Sequence, residues 1–145
     1  RYKRLVLAAK KIQKQNIQNI LLLRERGEFL DEYFTHKSID CLHINFPDPW
    51  DKEAKRKHRI LSTEFLNKMC PYFCSGGELR FKTDHLEYFK TVTGILNHLE
   101  FFTIDQHTED LHQSAYDKEN ILTEFEMLFK SKGNPPIGYL RAKIL

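Results

Sequence analysis

Long hydrophobic runs, paired cysteines and a dominant charge are missing from this chain. No apolar stretch approaches the roughly 20 residues that cross a bilayer, and no signal-peptide pattern opens the chain, so we expect a cytoplasmic protein with no membrane partner. Three cysteines are an odd number, which argues against a disulfide framework. Cys70 and Cys74 lack the second pair of ligands that a zinc site needs, so we expect no metal. The net charge of +3 is mild, and any case for a nucleic-acid partner depends on local clusters of basic residues.

The composition is that of an ordinary globular domain. With 145 residues, of which 41% are hydrophobic, the chain can bury a core, and we expect one domain over residues 1–145. The first residue is Arg1 rather than methionine, from which we expect a piece of a longer protein.

Helical and strand patterns alternate along the chain. Helices are predicted at Tyr2–Gln15, at Glu28–Phe34, from the N-cap Thr63 to Pro71, at His85–Leu99 with Asp84 as cap, and at Thr123–Lys132 closed by Gly133. Strands are predicted at Ile20–Leu23, Ser38–Asn45, Glu78–Thr83, Phe101–Ile104 and Ile137–Leu145, with a turn at Ser75–Gly77 and a polar loop at Gln106–Glu119. This alternation favours an α/β fold with a mostly parallel sheet, an antiparallel C-terminal edge and helices on both faces.

One strand ends at a candidate site. The predicted strand Ser38–Asn45 stops at Pro47, and because proline fixes its own φ and restricts the residue before it, Pro47 and Pro49 hold Asp48 in a rigid turn. Ligands of open α/β sheets sit outside the carboxyl ends of the strands, so Asp48 is a candidate site residue. A carboxylate that only stabilises its own turn is the alternative.

A run of basic residues follows this turn. Groups that can bind phosphates dominate the stretch, namely Lys52, Lys55, Arg56, Lys57, His58 and Arg59. A solvated surface segment is the alternative explanation of such a run. Its position directly after Asp48 favours contacts with a nucleic-acid backbone.

Four short motifs, taken together, carry a family resemblance. They are Asn45-Phe46-Pro47-Asp48-Pro49-Trp50 followed by Lys52, then Gly76-Gly77, then Lys82-Thr83-Asp84, and finally Thr123-Glu124-Phe125-Glu126. In order and spacing they resemble the bacterial tRNA (guanine-N7-)-methyltransferase family, over roughly residue 19 to the C-terminus. The resemblance implies a Rossmann-like class I methyltransferase domain that uses S-adenosylmethionine (SAM) and no metal. It implies methylation of N7 of a guanine in the tRNA variable loop, by a monomer or homodimer with tRNA as partner.

The resemblance also implies roles for individual residues. Asp48 is the catalytic residue. Substrate contacts are expected from Lys52, Asp84, Thr123, Glu124, Phe125 and Glu126; contacts with the tRNA backbone from Lys55, Arg56, Lys57 and Arg59; and cofactor contacts from Asn45, Phe46 and Asp48. Purely structural roles are compatible with these functional roles, because Asp84 can be an N-cap and Thr123-x-x-Glu126 is also a capping box.

The sequence departs from the family in three places. The Gly-rich strand, loop and helix that hold the cofactor are not found, so we expect the N-terminal cofactor-binding unit to be missing and residues 1–145 to be the C-terminal portion of the domain. Arg26 stands where the family has an aspartate. The basic run keeps only Lys52, Lys57 and Arg59 of the usual pattern.

Two other functions stay open. One is a non-catalytic tRNA- or RNA-binding module that lacks the cofactor half-site, which would bind tRNA but not SAM. The other is a SAM-dependent methyltransferase that acts on a different acceptor, for which the basic run would be incidental. Salt-dependent binding of tRNA would argue against the second.

Overall fold

A four-stranded mixed sheet forms the centre of the computed structural model, which describes residues 2–131, 133 and 135–145. The strands are β1 (Ile39–Asn45), β2 (Phe73–Thr83), β3 (Phe102–Thr108) and β4 (Gly138–Ile144), in the order β1-β2-β4-β3. β1 and β2 are parallel, while β4 runs antiparallel to both β2 and β3. The predicted α/β fold with an antiparallel C-terminal edge is confirmed. The sheet was predicted to be mostly parallel, but in the described residues one strand pair is parallel and two are antiparallel, because β4 returns between β2 and β3.

Four α-helices accompany the sheet in the described residues. They are α1 (Tyr2–Lys14), α2 (Thr63–Met69), α3 (Leu86–His98) and α4 (Glu124–Lys130), and each confirms a predicted helix. The predicted helix at Glu28–Phe34 is a 3₁₀ helix at Gly27–Glu32. The predicted end of the last helix, Lys132, lies outside the described residues. Among the described helices, none combines the length and the apolar character that crossing a bilayer requires.

The caps of two helices differ by one residue from the prediction. Ser62, not Thr63, is the N-cap of α2, and its hydroxyl accepts a hydrogen bond from the Phe65 N–H at 3.2 Å. His85, not Asp84, is the N-cap of α3, with its Nδ1 accepting from the Tyr88 N–H at 3.1 Å. A neutral imidazole nitrogen can replace a carboxylate as acceptor here, so Asp84 remains exposed at the turn.

The predicted strand at Ile20–Leu23 is wrong. These residues belong to no strand of the structure, and Leu21 is 99% exposed. A strand must pair its backbone groups with a neighbour, and none of the four described strands pairs with residues 20–23, although β1 and β3 are edge strands. An apolar run alone is therefore not enough to predict a strand.

Two irregular segments were also misassigned. Ser75–Gly77 is not a turn but lies inside β2, where Ile39 pairs with Phe73 and Cys41 with Glu78, so that β2 bulges. Gly76 takes a φ of 72° there, a conformation that glycine tolerates without strain. The predicted loop at Gln106–Glu119 begins later, because β3 continues to Thr108, and it contains the 3₁₀ helices Leu111–Gln113 and Ala115–Glu119.

The strand alternation gives the sheet two different faces. On one face, Leu79 and Phe81 of β2 join a core with α2 and α3 that contains Leu66, Met69, Tyr88, Phe89, Val92, Leu96, Leu140 and Ala142. On the other face, a smaller cluster forms around Leu111, Ile137 and Tyr139, with Phe46 and Phe129 packed against it. Arg80 and Lys82 of β2 point to this second face, which also receives α4 through Phe129. The candidate site therefore lies beside a polar face of the sheet.

Candidate active site

The turn that follows β1 is strained at both ends. Phe46 has a φ of 50° and Trp50 a φ of 46°, which bulky residues rarely adopt, and such a conformation costs on the order of 1–3 kcal/mol. Hydrogen bonds hold both ends: the Phe46 N–H donates to the Lys82 carbonyl at 2.8 Å, and the Pro49 carbonyl accepts from Arg59 Nε at 2.6 Å. The turn is therefore fixed by contacts outside itself, and strain of this kind is concentrated at functional sites.

Asp48 is exposed and faces a pocket of about 490 Å³. The walls of this pocket, called the Asp48 pocket below, are Arg26, Gly27, Glu28, Pro47, Asp48, Trp50, Lys55, His58 and Ile60. It lies outside the carboxyl end of β1, where the sequence predicted a site.

Trp50 forms an aromatic wall of the pocket with basic groups beside it. The His58 ring lies 5.5 Å from the Trp50 ring, and the Lys55 ammonium lies 5.7 Å from the same ring. An aromatic face can stack on a nucleobase, and a nearby ammonium can bind its phosphate.

Arg59 has a different environment from the rest of the basic run. Its guanidinium is almost buried, donates to the Pro49 carbonyl, pairs with Glu87 at 2.8 Å and lies 4.6 Å from the Tyr88 ring centroid. The hydrogen bond from Arg59 lowers the pKa of Glu87. Arg59 was predicted to contact the tRNA backbone, but its donors are already engaged inside the protein. It anchors the turn that carries Asp48.

The other basic residues of the run are exposed. Lys52, Lys55, Arg56 and Lys57 lie in or beside the 3₁₀ helix Glu53–His58, and Arg56 lies 3.6 Å from the carboxylate of Glu87. All four side chains are exposed to solvent, where phosphates can reach them.

The predicted capping box at the start of α4 is confirmed. The Glu126 N–H donates to the Thr123 hydroxyl at 3.2 Å, and the Thr123 N–H donates to the Glu126 carboxylate at 2.8 Å. The same sequence motif was expected to contact substrate. Glu124 and Phe125, which follow the cap, are exposed, whereas Glu126 is fully buried.

Buried partners surround the Glu126 carboxylate. It accepts from the Lys82 ammonium at 3.2 Å and from the Asn120 side chain at 3.0 Å. Burial raises the pKa of Glu126, but hydrogen bonds from Thr123 and Asn120, together with the charge of Lys82, outweigh it, so that the pKa is lowered. Glu126 therefore acts as a charged internal anchor for α4.

His112 extends this cluster, although the sequence predicted no site role for it. Its side chain is 4% exposed, its Nδ1 lies 2.9 Å from Asp117, and its Nε2 lies 3.8 Å from Glu126 without a hydrogen bond. Lys82 was also not proposed as a site residue, although its charge on the strand face opposite Phe81 was a usable signal. His112 and Asn120 carried no pattern in the sequence that marks them.

The three residues expected to bind cofactor are separated. Asp48 lines its own pocket, while Asn45 lines a second pocket of about 220 Å³ on the polar face of the sheet. Phe46 lies between them and stacks on Phe125 at 5.4 Å between ring centroids. This stack joins the turn after β1 to α4, so two motifs that are far apart in sequence meet in space.

Asp84 and Glu124 occupy the margins of the site. Asp84 is exposed beside His85, whose Nε2 lies 2.6 Å from Asp51, the residue after Trp50. Glu124 forms an exposed ion pair with Lys11 of α1. The structure thus brings Asp84 near the end of the turn and α1 near the start of α4.

The donor groups of the Asp48 pocket suit a cation but not a metal ion. Within the described ranges, no three His, Cys, Asp or Glu side chains are grouped as a metal site requires. The pocket has the carboxylates of Asp48 and Glu28 and the face of Trp50, which attract positive charge, beside the basic side chains of Arg26, Lys55 and His58. Arg26 lies 2.5 Å from Glu28 and pairs with it. Asp48 and Trp50 are therefore the groups that would hold the sulfonium end of SAM.

Solved structures show the fold. The chain matches an rRNA methylase from Streptococcus thermophilus with a TM-score of 0.65 and 19% identity, over 100% of this chain and 69% of that one. It matches a Streptococcus mutans protein, described as a putative methyltransferase in complex with SAH, with a TM-score of 0.62 and 15% identity, over 100% of this chain and 72% of that one. The fold is that of methyltransferases.

Sequence comparison shows the family. The family model described as "Putative methyltransferase" matches residues 1–138, and the chain therefore belongs to this family. A bifunctional glycosyltransferase/methyltransferase from Fusobacterium nucleatum is 42% identical over 99% of this chain and 22% of that protein. A tRNA (guanine-N(7)-)-methyltransferase from Mycoplasma genitalium is 36% identical over 79% of this chain and 55% of that protein. One from Clostridium novyi is 35% identical over 89% and 60%. These relatives confirm the resemblance, and the chain spans only part of each.

Proposed function

We propose that this chain carries the guanine-facing part of an enzyme that transfers a methyl group from SAM to N7 of a guanine in the tRNA variable loop. The observation that carries the proposal is the Asp48 pocket, in which a fixed carboxylate stands beside an aromatic wall and exposed lysines. The curated relatives named as tRNA (guanine-N(7)-)-methyltransferases support the choice of substrate.

The reaction requires little acid–base catalysis from the protein. The N7 lone pair forms a bond to the methyl carbon while the bond from carbon to sulfur breaks, and the electron pair of that bond stays on sulfur. No proton leaves, and the positive charge passes to the guanine ring. When bound, SAM supplies a methyl group that is already activated. The residues of the chain have to align the base, and good alignment is worth up to roughly 7–11 kcal/mol.

In this proposal, Asp48 holds the base. A carboxylate can accept hydrogen bonds from N1–H and the exocyclic amine of guanine together, and such bidentate contacts discriminate between bases by about 1–3 kcal/mol. Its negative charge also stabilises the charge that develops on the ring. Since the turn is anchored at both ends, Asp48 needs little rearrangement to reach its working position.

The exposed groups around Asp48 complete the proposal. Trp50 offers a stacking face, and Lys52, Lys55 and Lys57 offer ammonium groups for phosphates. Arg56 and the exposed end of α4, with Thr123, Glu124 and Phe125, lie at the margins for further contacts with tRNA. In this assignment Lys82, Glu126 and Arg59 position the site from inside and do not touch the substrate.

The test is transfer of labelled methyl from SAM to an unmodified tRNA transcript, by this chain and by the product of its whole open reading frame. Asp48→Asn keeps the shape of the side chain and removes its charge, and Asp40→Asn at the opposite end of β1 is the matched control. We expect Asp48→Asn to abolish most transfer and Asp40→Asn to leave it unchanged. Equal activity of both variants would refute the role of Asp48. Tight, salt-sensitive tRNA binding with no transfer by either protein would favour the RNA-binding module.

A further inference from the structure

Positive charge is concentrated at one end of the sequence. Residues 2–24 contain six Lys or Arg and no Asp or Glu, whereas the whole chain has 23 basic and 20 acidic residues. The rest of the chain is therefore slightly acidic. The basic excess belongs to α1 and the segment after it, which the proposed function has not used.

The charges of α1 share one side of the helix. At about 100° per residue, its basic side chains fall within an arc of about 120°. They are Lys3, Arg4, Lys10, Lys11 and Lys14, called the α1 basic face below, and all five are exposed. Leu5 and Ile12 lie on the opposite side and are half-buried. The helix thus presents its charge to solvent, with the exposed Leu7 among the basic side chains.

This face lies next to the candidate active site. Lys11 forms an ion pair with Glu124, the first residue of α4. The hydrogen bond from Lys11, together with the charges of Lys11 and Arg4, lowers the pKa of Glu124. The next residue of α4, Phe125, stacks on Phe46 at the start of the turn that carries Asp48. A chain of contacts therefore runs from the α1 basic face to the Asp48 pocket.

We propose that the α1 basic face is a second binding surface for the RNA phosphate backbone, separate from the basic run after Trp50. The proposal rests on the proposed function, because it takes tRNA as the partner. Lys14 lies one turn from both Lys10 and Lys11, and no acidic side chain in the helix relieves this repulsion. A polyanion that lies along the face neutralises it. A membrane surface fits less well, because Leu5 and Ile12 on the apolar side of α1 are half-buried rather than exposed.

The experiment measures how the affinity for an unmodified tRNA transcript depends on salt. The triple variant Lys3→Gln/Lys10→Gln/Lys14→Gln keeps good helix formers and avoids Lys11, which pairs with Glu124. The matched control is Lys37→Gln/Lys90→Gln/Lys118→Gln, which removes the same charge from exposed lysines of other elements. A third variant, Lys3→Arg/Lys10→Arg/Lys14→Arg, keeps the charge. Circular dichroism confirms that each variant is folded.

Each phosphate contact adds about 0.7–0.9 to the slope of log affinity against log salt, so the α1 variant should lose up to about 2–3 slope units. The control and the arginine variant should keep the slope of the unaltered chain. Equal losses in the α1 variant and the control would overturn the proposal, since they would report net charge alone. An unchanged slope with lost binding to phosphatidylserine vesicles would overturn it in favour of a membrane surface.

The outcomes also separate this proposal from the proposed function. A lowered slope in a protein that transfers no methyl group supports the α1 basic face and counts against the enzyme. Normal methyl transfer with an unchanged slope in the α1 variant keeps the enzyme and refutes the α1 basic face.

Discussion

Replacing Arg59 tests whether this residue anchors the site or binds RNA. In Arg59→Gln, the Pro49 carbonyl loses a hydrogen bond from a charged donor, worth about 1.5–3 kcal/mol. Loss of the contact with the Tyr88 ring costs about 0.5–1 kcal/mol. The pair with Glu87 adds less than about 1 kcal/mol, because Glu87 is half exposed. We expect a total loss of about 2–5 kcal/mol in the free energy of unfolding.

The assay compares Arg59→Gln with Lys57→Gln, which changes an exposed neighbour by the same charge. For a chain of this size, about 2–5 kcal/mol lowers Tm by roughly 4–20 °C, whereas Lys57→Gln should move the unfolding free energy by less than about 0.5 kcal/mol. The salt dependence of tRNA binding should respond in the opposite way, falling by about 0.7–0.9 slope units in Lys57→Gln only. An Arg59→Gln protein with unchanged Tm and a lower slope would refute the assignment of Arg59 as an internal anchor.

Three further substitutions test other parts of the structure. Glu126→Gln should lower the free energy of unfolding by about 3–5 kcal/mol at neutral pH. Because the pKa of Glu126 is lowered in the folded state, the difference between the two proteins should shrink as pH falls below about 4.5. Unfolding measured as a function of pH tests this, and a constant difference would contradict the buried ion pair. Trp50→Ala should lower kcat/KM for tRNA by a factor that corresponds to about 1–3 kcal/mol of transition-state stabilisation, and Trp50→Phe should restore much of the lost kcat/KM. An alanine variant with unchanged kcat/KM would exclude stacking. Gly138→Ala should destabilise by about 1–3 kcal/mol, because a Cβ there meets Phe89 at 2.6 Å, whereas Gly94→Ala, with open space inside α3, should stabilise; calorimetry of both decides.

The parts of the fold that depend on local signals could be predicted. The prolines after Asn45 mark the end of β1 because they act on their own backbone, and the capping box of α4 is complete within four residues. The strand predicted at Ile20–Leu23 failed because strand formation needs a partner strand, which no local pattern reveals. The caps of α2 and α3 moved by one residue because neighbouring side chains compete for the same N–H groups.

In the candidate site, too, features set by the local sequence could be predicted, and features that depend on distant residues could not. Asp48 could be placed at the end of a strand from the sequence, but the inward turn of Arg59 could not, because its partner Glu87 comes from α3. Asn45 and Asp48 were both expected to contact the cofactor, but they line different pockets, on either side of the strained Phe46. The role of His112 depended on which groups the loop after β3 brings to Glu126.

Lys82 explains how the two halves of the site are held in register. Its carbonyl accepts from the Phe46 N–H at 2.8 Å, and its ammonium lies 3.2 Å from the buried carboxylate of Glu126. One residue of β2 therefore fixes both the beginning of the Asp48 turn and the cap of α4, and the stack of Phe46 on Phe125 closes the same connection through side chains. Because a buried ion pair is costly to break, neither part can shift without disturbing the other. Under the proposed function, the alignment that methyl transfer to guanine requires is then built before the base arrives, so that binding energy need not be spent on assembling the site.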